Sequence, residues 1–341
     1  MRFGNDVGVD LGTSNLRIFV RGKGVMLREP SVLAVDKQTG RVLETGQEAR
    51  RMLGRTPANL CALSPVSGGV IADYDMTVKL LREALKQTLP FTLVKPRLLF
   101  CVPAGITSVE ERAVIQAGLQ AGARRVFLME TPLAAALGAG LPIEEPTGRM
   151  VVDIGAGSAD AAILSLGGVC RSLSVSAAGD AMRNAIIRHV RRKHGVLIGP
   201  AMAEEAKLRI GCVHDPREGQ KCEVKGRDLL TGLPRLVELQ EAEMPEALEE
   251  VCYQLMDAVR ELLEQTPPEM VSDITQSGVT LTGGGSRLRG LDRLLEEYAH
   301  IPVLLADDGE DCVIAGMGQA MQKLDSMQDG ILNLSRRKQL S

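Results

Sequence analysis

The chain is poor in aromatic residues: among its 341 residues are three Tyr, five Phe and no Trp. Single-stranded nucleic acid is held by stacking on aromatic platforms, and this chain has little to build one from. The net charge is −3, so no basic field is available for a polyanionic backbone. Both features exclude nucleic acid as a partner. The seven cysteines (Cys61, Cys101, Cys170, Cys212, Cys222, Cys252 and Cys312) are odd in number, scattered and never spaced C-x-x-C. That pattern argues against a disulfide frame and a zinc ribbon and fits reduced thiols in the cytoplasm. Four scattered histidines predict no metal cluster. No apolar run reaches the ~18 residues of a membrane span, and the N-terminus lacks a secretory pattern.

What is present is ordinary globular material, with 45% apolar and 24% charged residues. At roughly 150 residues per domain, the length suits about two domains.

Two short stretches nearly repeat each other. Val9-Asp10-Leu11-Gly12-Thr13-Ser14 and Val152-Asp153-Ile154-Gly155-Ala156-Gly157-Ser158 each run from an apolar strand through an Asp into small and hydroxyl residues. Glycine lets backbone N–H groups approach an anion closely. The Asp at each strand end suits a metal-bound water better than a bare phosphate, which its charge repels. The pair predicts two halves closing on one nucleotide. A third stretch, Val279-Thr280-Leu281-Thr282-Gly283-Gly284-Gly285-Ser286, ends a β-branched strand in three glycines ahead of a helix. A flat ligand such as a base and ribose can lie on such a loop.

Around these loops strands and helices alternate. Val7–Asp10 and Leu16–Val20 predict a hairpin, followed by strands at Ser31–Val35 and Val42–Thr45 and a short helix over Glu48–Leu53. Asp75 is read as the N-cap of a helix to Leu89, with Leu81, Leu85 and Leu89 on one face. Arg97–Val102 reads as a buried strand. Ser108 and Glu111 read as a capping box for a helix ending at Gly122. Val126–Met129 is a strand, and Pro132 opens a small-residue helix over Thr131–Gly138. The pattern restarts at Met150–Ile154 and Ala161–Leu166. Helices follow at Asp180–His194, Ala201–Ile210 and Pro245–Gln265, then a strand–loop–helix unit over Gly278–Tyr298. A late strand at Pro302–Leu305 and a closing helix over Val313–Leu324 complete the reading, with a frayed tail beyond.

These residues resemble the MreB family, bacterial actin homologues that form membrane-bound filaments and shape rod cells. The similarity runs from about Val7 to Leu324. It is carried by Asp10-Leu11-Gly12-Thr13-Ser14-Asn15, Glu29-Pro30-Ser31-Val32, Gly54-Arg55-Thr56-Pro57, Gly69-Val70-Ile71-Ala72-Asp73, Cys101-Val102-Pro103, Val151-Val152-Asp153-Ile154-Gly155, Gly226 through Pro234, and Leu281-Thr282-Gly283-Gly284-Gly285. The stretches at 54–57 and 226–234 separate it from the chaperone and sugar-kinase branches. The resemblance implies an α/β actin-like ATPase fold with two lobes, each split into two subdomains, and nucleotide in the interlobe cleft. Lobe I would span 1–140, with a subdomain at about 32–65, completed by a C-terminal helix at 312–336. Lobe II would span 141–311, with a subdomain at about 180–242.

Carried over by position, the resemblance implies that ATP contacts Thr13, Ser14 and Asn15 on one loop and Gly155, Ala156 and Gly157 on the other. Asp10 and Asp153 would hold Mg²⁺ through water. Glu204 and Lys207 would reach ribose and base, and Gly284, Gly285, Ser286 and Arg287 would form the adenine side. Read without the resemblance, Glu204 and Lys207 also make sense as an exposed helical ion pair. Two departures stand out. The second loop has Ala156 where the family has glycine, while Ser158 keeps a hydroxyl able to orient water. The family's water-positioning glutamate before the proline is Thr131 here, and Glu130 lies one residue early. Slow hydrolysis follows, which fits a divergent paralogue; the alternative is that Glu130 or Asp160 swings in to replace the missing carboxylate.

The apolar segment from Leu89 to Val94 matches a membrane-inserting loop of the family, with Phe91 and Leu93 as contacts. As bare sequence, Leu93 and Val94 also read as the start of the next strand. The implied partners are further copies of the chain in antiparallel filament pairs, the inner membrane surface, the cell-elongation machinery and paralogous filaments. The implied location is cytoplasmic, peripheral on the inner face of the cell membrane. A monomeric phosphotransferase, a sugar or acid kinase of the same fold, is the alternative, although no carboxylate is clearly spared as its general base. A chaperone would need a further substrate-binding domain.

Overall fold

One sheet plan occurs twice along the chain. The computed structural model describes residues 5–90 and 94–326. The first part comprises β1 (Asp6–Leu11), β2 (Asn15–Val20), β3 (Gly24–Pro30), β4 (Leu33–Asp36), β5 (Val42–Thr45), α1 (Gly46–Met52), β6 (Leu60–Leu63), β7 (Val66–Ser67), β8 (Val70–Ile71), α2 (Tyr74–Thr88), β9 (Arg97–Val102), α3 (Ser108–Ala121), β10 (Arg125–Glu130) and α4 (Thr131–Gly138). The second comprises β11 (Arg149–Ile154), β12 (Ala159–Ser165), β13 (Gly168–Val175), α5 (Gly179–His194), β14 (Val196–Ile198), α6 (Pro200–Ile210), β15 (Lys221–Asp228), β16 (Pro234–Gln240), α7 (Met244–Glu264), α8 (Pro268–Ser277), β17 (Val279–Thr282), α9 (Leu291–Ala299), β18 (Val303–Leu305) and α10 (Cys312–Ala320).

The two large sheets have the orders β3-β2-β1-β9-β10 and β13-β12-β11-β17-β18. In each, three antiparallel strands form a meander and two later strands join in parallel beside the first. The parallel additions need crossovers, and helices provide them. β1 and β11 sit in the middle of their sheets and are buried almost throughout; β11 has the apolar run Met150–Val152, whereas β1 interleaves Val7, Val9 and Leu11 with Asp6, Gly8 and Asp10 yet buries nearly all of them. β2 instead alternates, burying Leu16, Ile18 and Val20 and turning Asn15, Arg17 and Phe19 to the other face. Smaller sheets, β5-β4-β6 and β14-β15-β16, flank the large ones.

A shared core joins the halves. Phe127, Met129 and Leu133 pack with Val151, Ala162 and Leu164, and Ile314 and Met317 of α10 close over them. Each such side chain, fully buried, contributes roughly 1.5–3 kcal/mol. α4 and α10 meet backbone to backbone. A Cβ on Gly316 would overlap the Ala134 carbonyl, and one on Gly138 would overlap the Cys312 carbonyl. Only glycine permits that approach.

Two caps differ from expectation. α2 is capped by Asp73, which accepts from the Met76 N–H at 3.1 Å, while Asp75 lies in the first turn. α3 is capped by Thr107 with Glu110, not by Ser108 with Glu111. Both pairs have capping-box spacing, but the cap must have extended backbone, and Thr107 does, at φ −74° and ψ 156°. Leu81, Leu85 and Leu89 are buried together, as the spacing predicts. The closing helix ends at Ala320 and tightens into a 3₁₀ turn over Met321–Ser326. β3, β13, α8 and the β15–β16 hairpin escaped the sequence reading. For β15 the signal was available: Cys222 and Val224 are buried between exposed charged residues. Phe91 and Leu93, read as membrane contacts, lie outside the described residues.

Candidate functional site

The site is built from two matching turns. Strand register sets Asp10 opposite Arg17 in the first hairpin and Asp153 opposite Asp160 in the second. The Gly12 N–H donates to the Asn15 carbonyl at 3.1 Å, and the Gly155 N–H to the Ser158 carbonyl at 2.9 Å. The turns therefore close the same way and face each other. A Cβ on Gly157 would overlap the Thr13 hydroxyl. That hydroxyl accepts the Gly69 N–H at 2.9 Å, and Gly69 has a φ of +78° that side chains avoid. The contact draws the β7–β8 turn up to both loops.

Between the turns opens a cleft of about 1230 Å³. Asp10, Thr13, Ser14, Asn15, Thr131, Asp153, Gly155, Ala156, Gly157, Ser158, Glu204, Lys207, Gly284, Gly285 and Arg287 line it, so the fold gathers residues from distant segments into one wall. Glu204 and Lys207 do not form an exposed pair. Their bridge is 2.9 Å long, their side chains are 27% and 14% exposed, and Lys207 also donates to the Gly179 carbonyl at 3.1 Å. Ser286 is the exception. It is buried, its hydroxyl donates to the Gly283 carbonyl at 2.7 Å, and it is not part of the lining. A short 3₁₀ turn over Gly284–Arg287 rotates its side chain inward, away from the cleft wall.

The second loop docks on a helix end. The Gly179 and Asp180 N–H groups, at the start of α5, donate to the Gly155 and Ala156 carbonyls at 3.1 and 2.7 Å. These bonds fix the loop despite the extra methyl of Ala156.

The cleft floor concentrates negative charge. Burial raises the pKa of Asp153 to about 7; the Thr282 hydroxyl, donating at 2.7 Å, opposes this, and the nearby Asp160 and Asp10 add to it. Asp10 is also raised by burial, against the pull of Arg17 at 3.0 Å. Asp160 is raised by burial although Ser174, the Ala104 N–H and Ser158 all donate to it. Cys101, half-buried in the cleft wall beside all three, is pushed well above the usual thiol range by desolvation and their charge, which disfavours its thiolate. Hard oxygen donors crowded in this way fit Mg²⁺.

The segment before Pro132 and the facing strand hold their polar groups in internal hydrogen bonds. The Thr131 hydroxyl donates to the Val102 carbonyl at 3.0 Å. Glu130 is 2% exposed and does not line the cleft. Asp160 is held on both oxygens, by Ala104 N–H at 2.8 Å and the Ser158 hydroxyl at 2.9 Å.

The sequence reading weighed Asp160 only as a substitute for the missing glutamate, and it missed Arg17, Gly69 and the Asp180–Arg183 pair, whose bridge is 2.6 Å long. Hairpin register alone would have found Arg17, opposite Asp10. It also missed a cluster outside the cleft. Contrary to the expectation that the histidines stay scattered, His189 and His194 both meet Glu243. That carboxylate lies 54 and 49 residues away in sequence, so spacing could not show it.

Comparison with known proteins agrees with this architecture. Residues 4–329 match the family model described as MreB/Mbl protein. The chain is 48% identical over 329 residues to the cell shape-determining protein MreB of Escherichia coli (strain K12), covering 95% of each chain. It is 43% identical over 326 residues to the cell shape-determining protein Mbl of Bacillus subtilis (strain 168), covering 95% of this chain and 98% of that one. Among solved structures, MreB5 of Spiroplasma citri bound to AMPPNP superposes with a TM-score of 0.91 at 32% identity, covering 96% of this chain and 98% of that one. The MamK double helical filament shares the fold, with a TM-score of 0.77 at 21% identity. The chain belongs to the MreB/Mbl family of cell shape-determining proteins and has their actin-like fold.

Proposed function

We propose that this chain is a nucleotide-dependent cytoskeletal subunit that assembles into membrane-associated filaments, guides cell-wall synthesis and so sets cell shape. The carrying observation is the pair of hairpin turns facing each other across the cleft, Thr13 against Gly157. The relatives named for cell shape and the AMPPNP-bound neighbour support the same reading.

In this reading ATP lies in the cleft. Backbone N–H groups of Thr13, Ser14 and Asn15 and of Gly155, Ala156 and Gly157 face its phosphates, Glu204 and Lys207 meet ribose and base, and Gly284, Gly285 and Arg287 support the adenine side. Asp10 and Asp153 hold Mg²⁺ through water, and the ion, when bound, neutralises phosphate charge. Asp153 is buried, Asp10 is largely so, and the charge of Asp10 disfavours a second charge on Asp153, so the pair gains from a divalent cation. Ser158 and Thr131 orient the attacking water, but neither hydroxyl accepts its proton at neutral pH. Hydrolysis is therefore slow, and the subunit stays long in its ATP state.

Assembly is head to tail, because filaments need a contact that does not close on itself. The turn after β15 offers apolar surface for it: Leu230 is 97% exposed and Leu233 65%. For the membrane, the apolar segment containing Phe91 and Leu93 is the proposed anchor, weak in one subunit and strong in a filament. Among the described residues no helix is long and apolar enough to cross a membrane. Sedimentation with and without ATP tests the function. Pelleting that depends on ATP is expected; a chain that stays monomeric with ATP, lipid and high concentration would overturn it.

A further inference from the structure

We infer that His189, His194 and Glu243 form a binding site for a zinc-class divalent cation, separate from the cleft. His189 and His194 lie in the last turns of α5, and Glu243 ends the 3₁₀ turn leading into α7. The Nε2 atoms of His189 and His194 stand 3.3 and 2.8 Å from the same oxygen, Glu243 Oε2. The three ligand atoms lie within 4.8 Å of one another.

The carboxylate is aimed. Its other oxygen, Oε1, accepts the Gln240 N–H at 3.0 Å in a capping box. A backbone donor holding one carboxylate oxygen while the other faces imidazoles is the usual outer support of a metal ligand. Two of the three spacings come close to what the ion needs, and the two imidazole nitrogens lie within 4.8 Å of each other. Zinc bonds to nitrogen and oxygen of ~2.0–2.2 Å set neighbouring tetrahedral ligand atoms roughly 3.3 Å apart. The His189–Glu243 separation of 3.3 Å already matches, and that of His194, at 2.8 Å, needs a small opening. His189 and Glu243 are deeply buried, whereas His194 is 20% exposed, so solvent can reach the site from its side to supply a fourth ligand.

One group competes with the ion. The Lys193 ammonium lies 3.1 Å from Glu243 Oε2. Its side chain is 46% exposed and can swing into water. An imidazole that binds zinc through Nε2 carries its ring proton on Nδ1, and the buried Nδ1 of His189 has no hydrogen-bond partner among the described residues. Two-histidine, one-carboxylate donor sets suit zinc better than Mg²⁺ or Ca²⁺. The site would clip the end of α5 to the start of α7. Asp180, at the opposite end of α5, lines the nucleotide cleft, whereas none of the three ligands does.

The test uses the full chain, stripped with chelator and titrated with Zn²⁺, then with Co²⁺. One equivalent is expected to bind and to raise the unfolding temperature. His194→Ala and Glu243→Gln should each weaken binding by about tenfold or more. Lys193→Ala should tighten it, because the competitor is gone, and this surface variant keeps the test informative if the ligand variants fail to fold. Bound Co²⁺ should show visible d–d bands without thiolate charge transfer. Wild-type protein that binds no Zn²⁺, equal affinity in His194→Ala, or a thiolate band would overturn the site and leave a plain hydrogen-bonded cluster.

Discussion

Arg17 donates to Asp10 across 3.0 Å, and it holds in the first hairpin the place that Asp160 holds in the second. Two turns of the same geometry thus carry opposite charges at matching positions. Arg17 also lies 3.8 Å from Asp311, which Arg28 binds at 2.6 Å. The cation reaches from the cleft floor towards the loop packed on Gly283, whose N–H donates to the Gly309 carbonyl at 2.8 Å.

Replacing Arg17 with Leu should destabilise the nucleotide-free protein by about 1–3 kcal/mol, since a mostly buried carboxylate loses its partner. Mg²⁺ should then restore more stability than it adds to wild type. Urea unfolding with and without Mg²⁺ measures both effects. Superimposable curves for the two proteins would show that Arg17 does not balance the cleft charge.

Asp153 makes stability depend on pH. Its pKa is about 7 in the folded chain, against an ordinary value of 3.8. Between those values the folded state binds more protons than the unfolded state, so stability falls as pH rises from about 4 to about 7. Above that range the penalty persists in full. Asp153→Asn removes it and should stabilise the free protein at pH 8 by up to a few kcal/mol. The same variant should lose Mg-dependent nucleotide binding. Unfolding midpoints at pH 5 and pH 8 decide the matter: a variant that is no more stable at pH 8 counts against a buried charge at Asp153.

Thr131→Glu should accelerate phosphate release under polymerising conditions. A positioned proton acceptor typically contributes ~10²–10⁴ in rate. The Thr131 hydroxyl donates to the Val102 carbonyl at 3.0 Å, so it can accept a hydrogen bond from a water but cannot take its proton, and Glu130 is buried. ATP affinity should change little. A wild-type rate equal to that of ordinary family members, with no gain in the variant, would remove the idea of slow turnover.

Gly316→Ala should cost about 1–3 kcal/mol, because the added methyl meets the Ala134 carbonyl rather than a movable side chain. Gly138→Ala should behave alike against the Cys312 carbonyl. Urea midpoints check this. A loss within the scatter of ordinary surface substitutions would mean that α4 and α10 can slide apart.

Phe91→Ser with Leu93→Ser should sharply reduce co-sedimentation with liposomes while ATP-dependent pelleting without lipid persists. Each fully buried apolar side chain contributes at most ~1.5–3 kcal/mol, so many copies in a filament are needed for firm binding. A double variant that follows liposomes like wild type would show that the anchor lies elsewhere.

Much of the site could be read from the residues in order. The Asp-Gly-hydroxyl turns at Asp10 and Asp153 and the triple glycine at Gly283 are local patterns. Strand ends and glycine backbones set them without help from distant segments, which is why Thr13, Gly155, Gly157, Gly284 and Gly285 all line the cleft. The buried strands and the leucine face of α2 were legible for the same reason, since side-chain period follows from backbone geometry alone. Helix starts were less so. Thr107-Ser108 followed by Glu110-Glu111 offers two registers of one motif, and the choice depends on which residue the packed helix leaves extended.

Tertiary structure alone decided how distant residues meet. The direction of Ser286 follows from a 3₁₀ turn pressed against Ile154 and Gly309. The Glu204–Lys207 pair became a cleft wall because α6 packs beside the start of α5, where Gly179 takes the lysine. His189 and His194 found Glu243 only because α5 and α7 lie side by side. Sequence patterns report forces acting within a few residues, through backbone freedom and side-chain period. Close packing and shared charge act between segments, and only the folded chain brings those segments within reach.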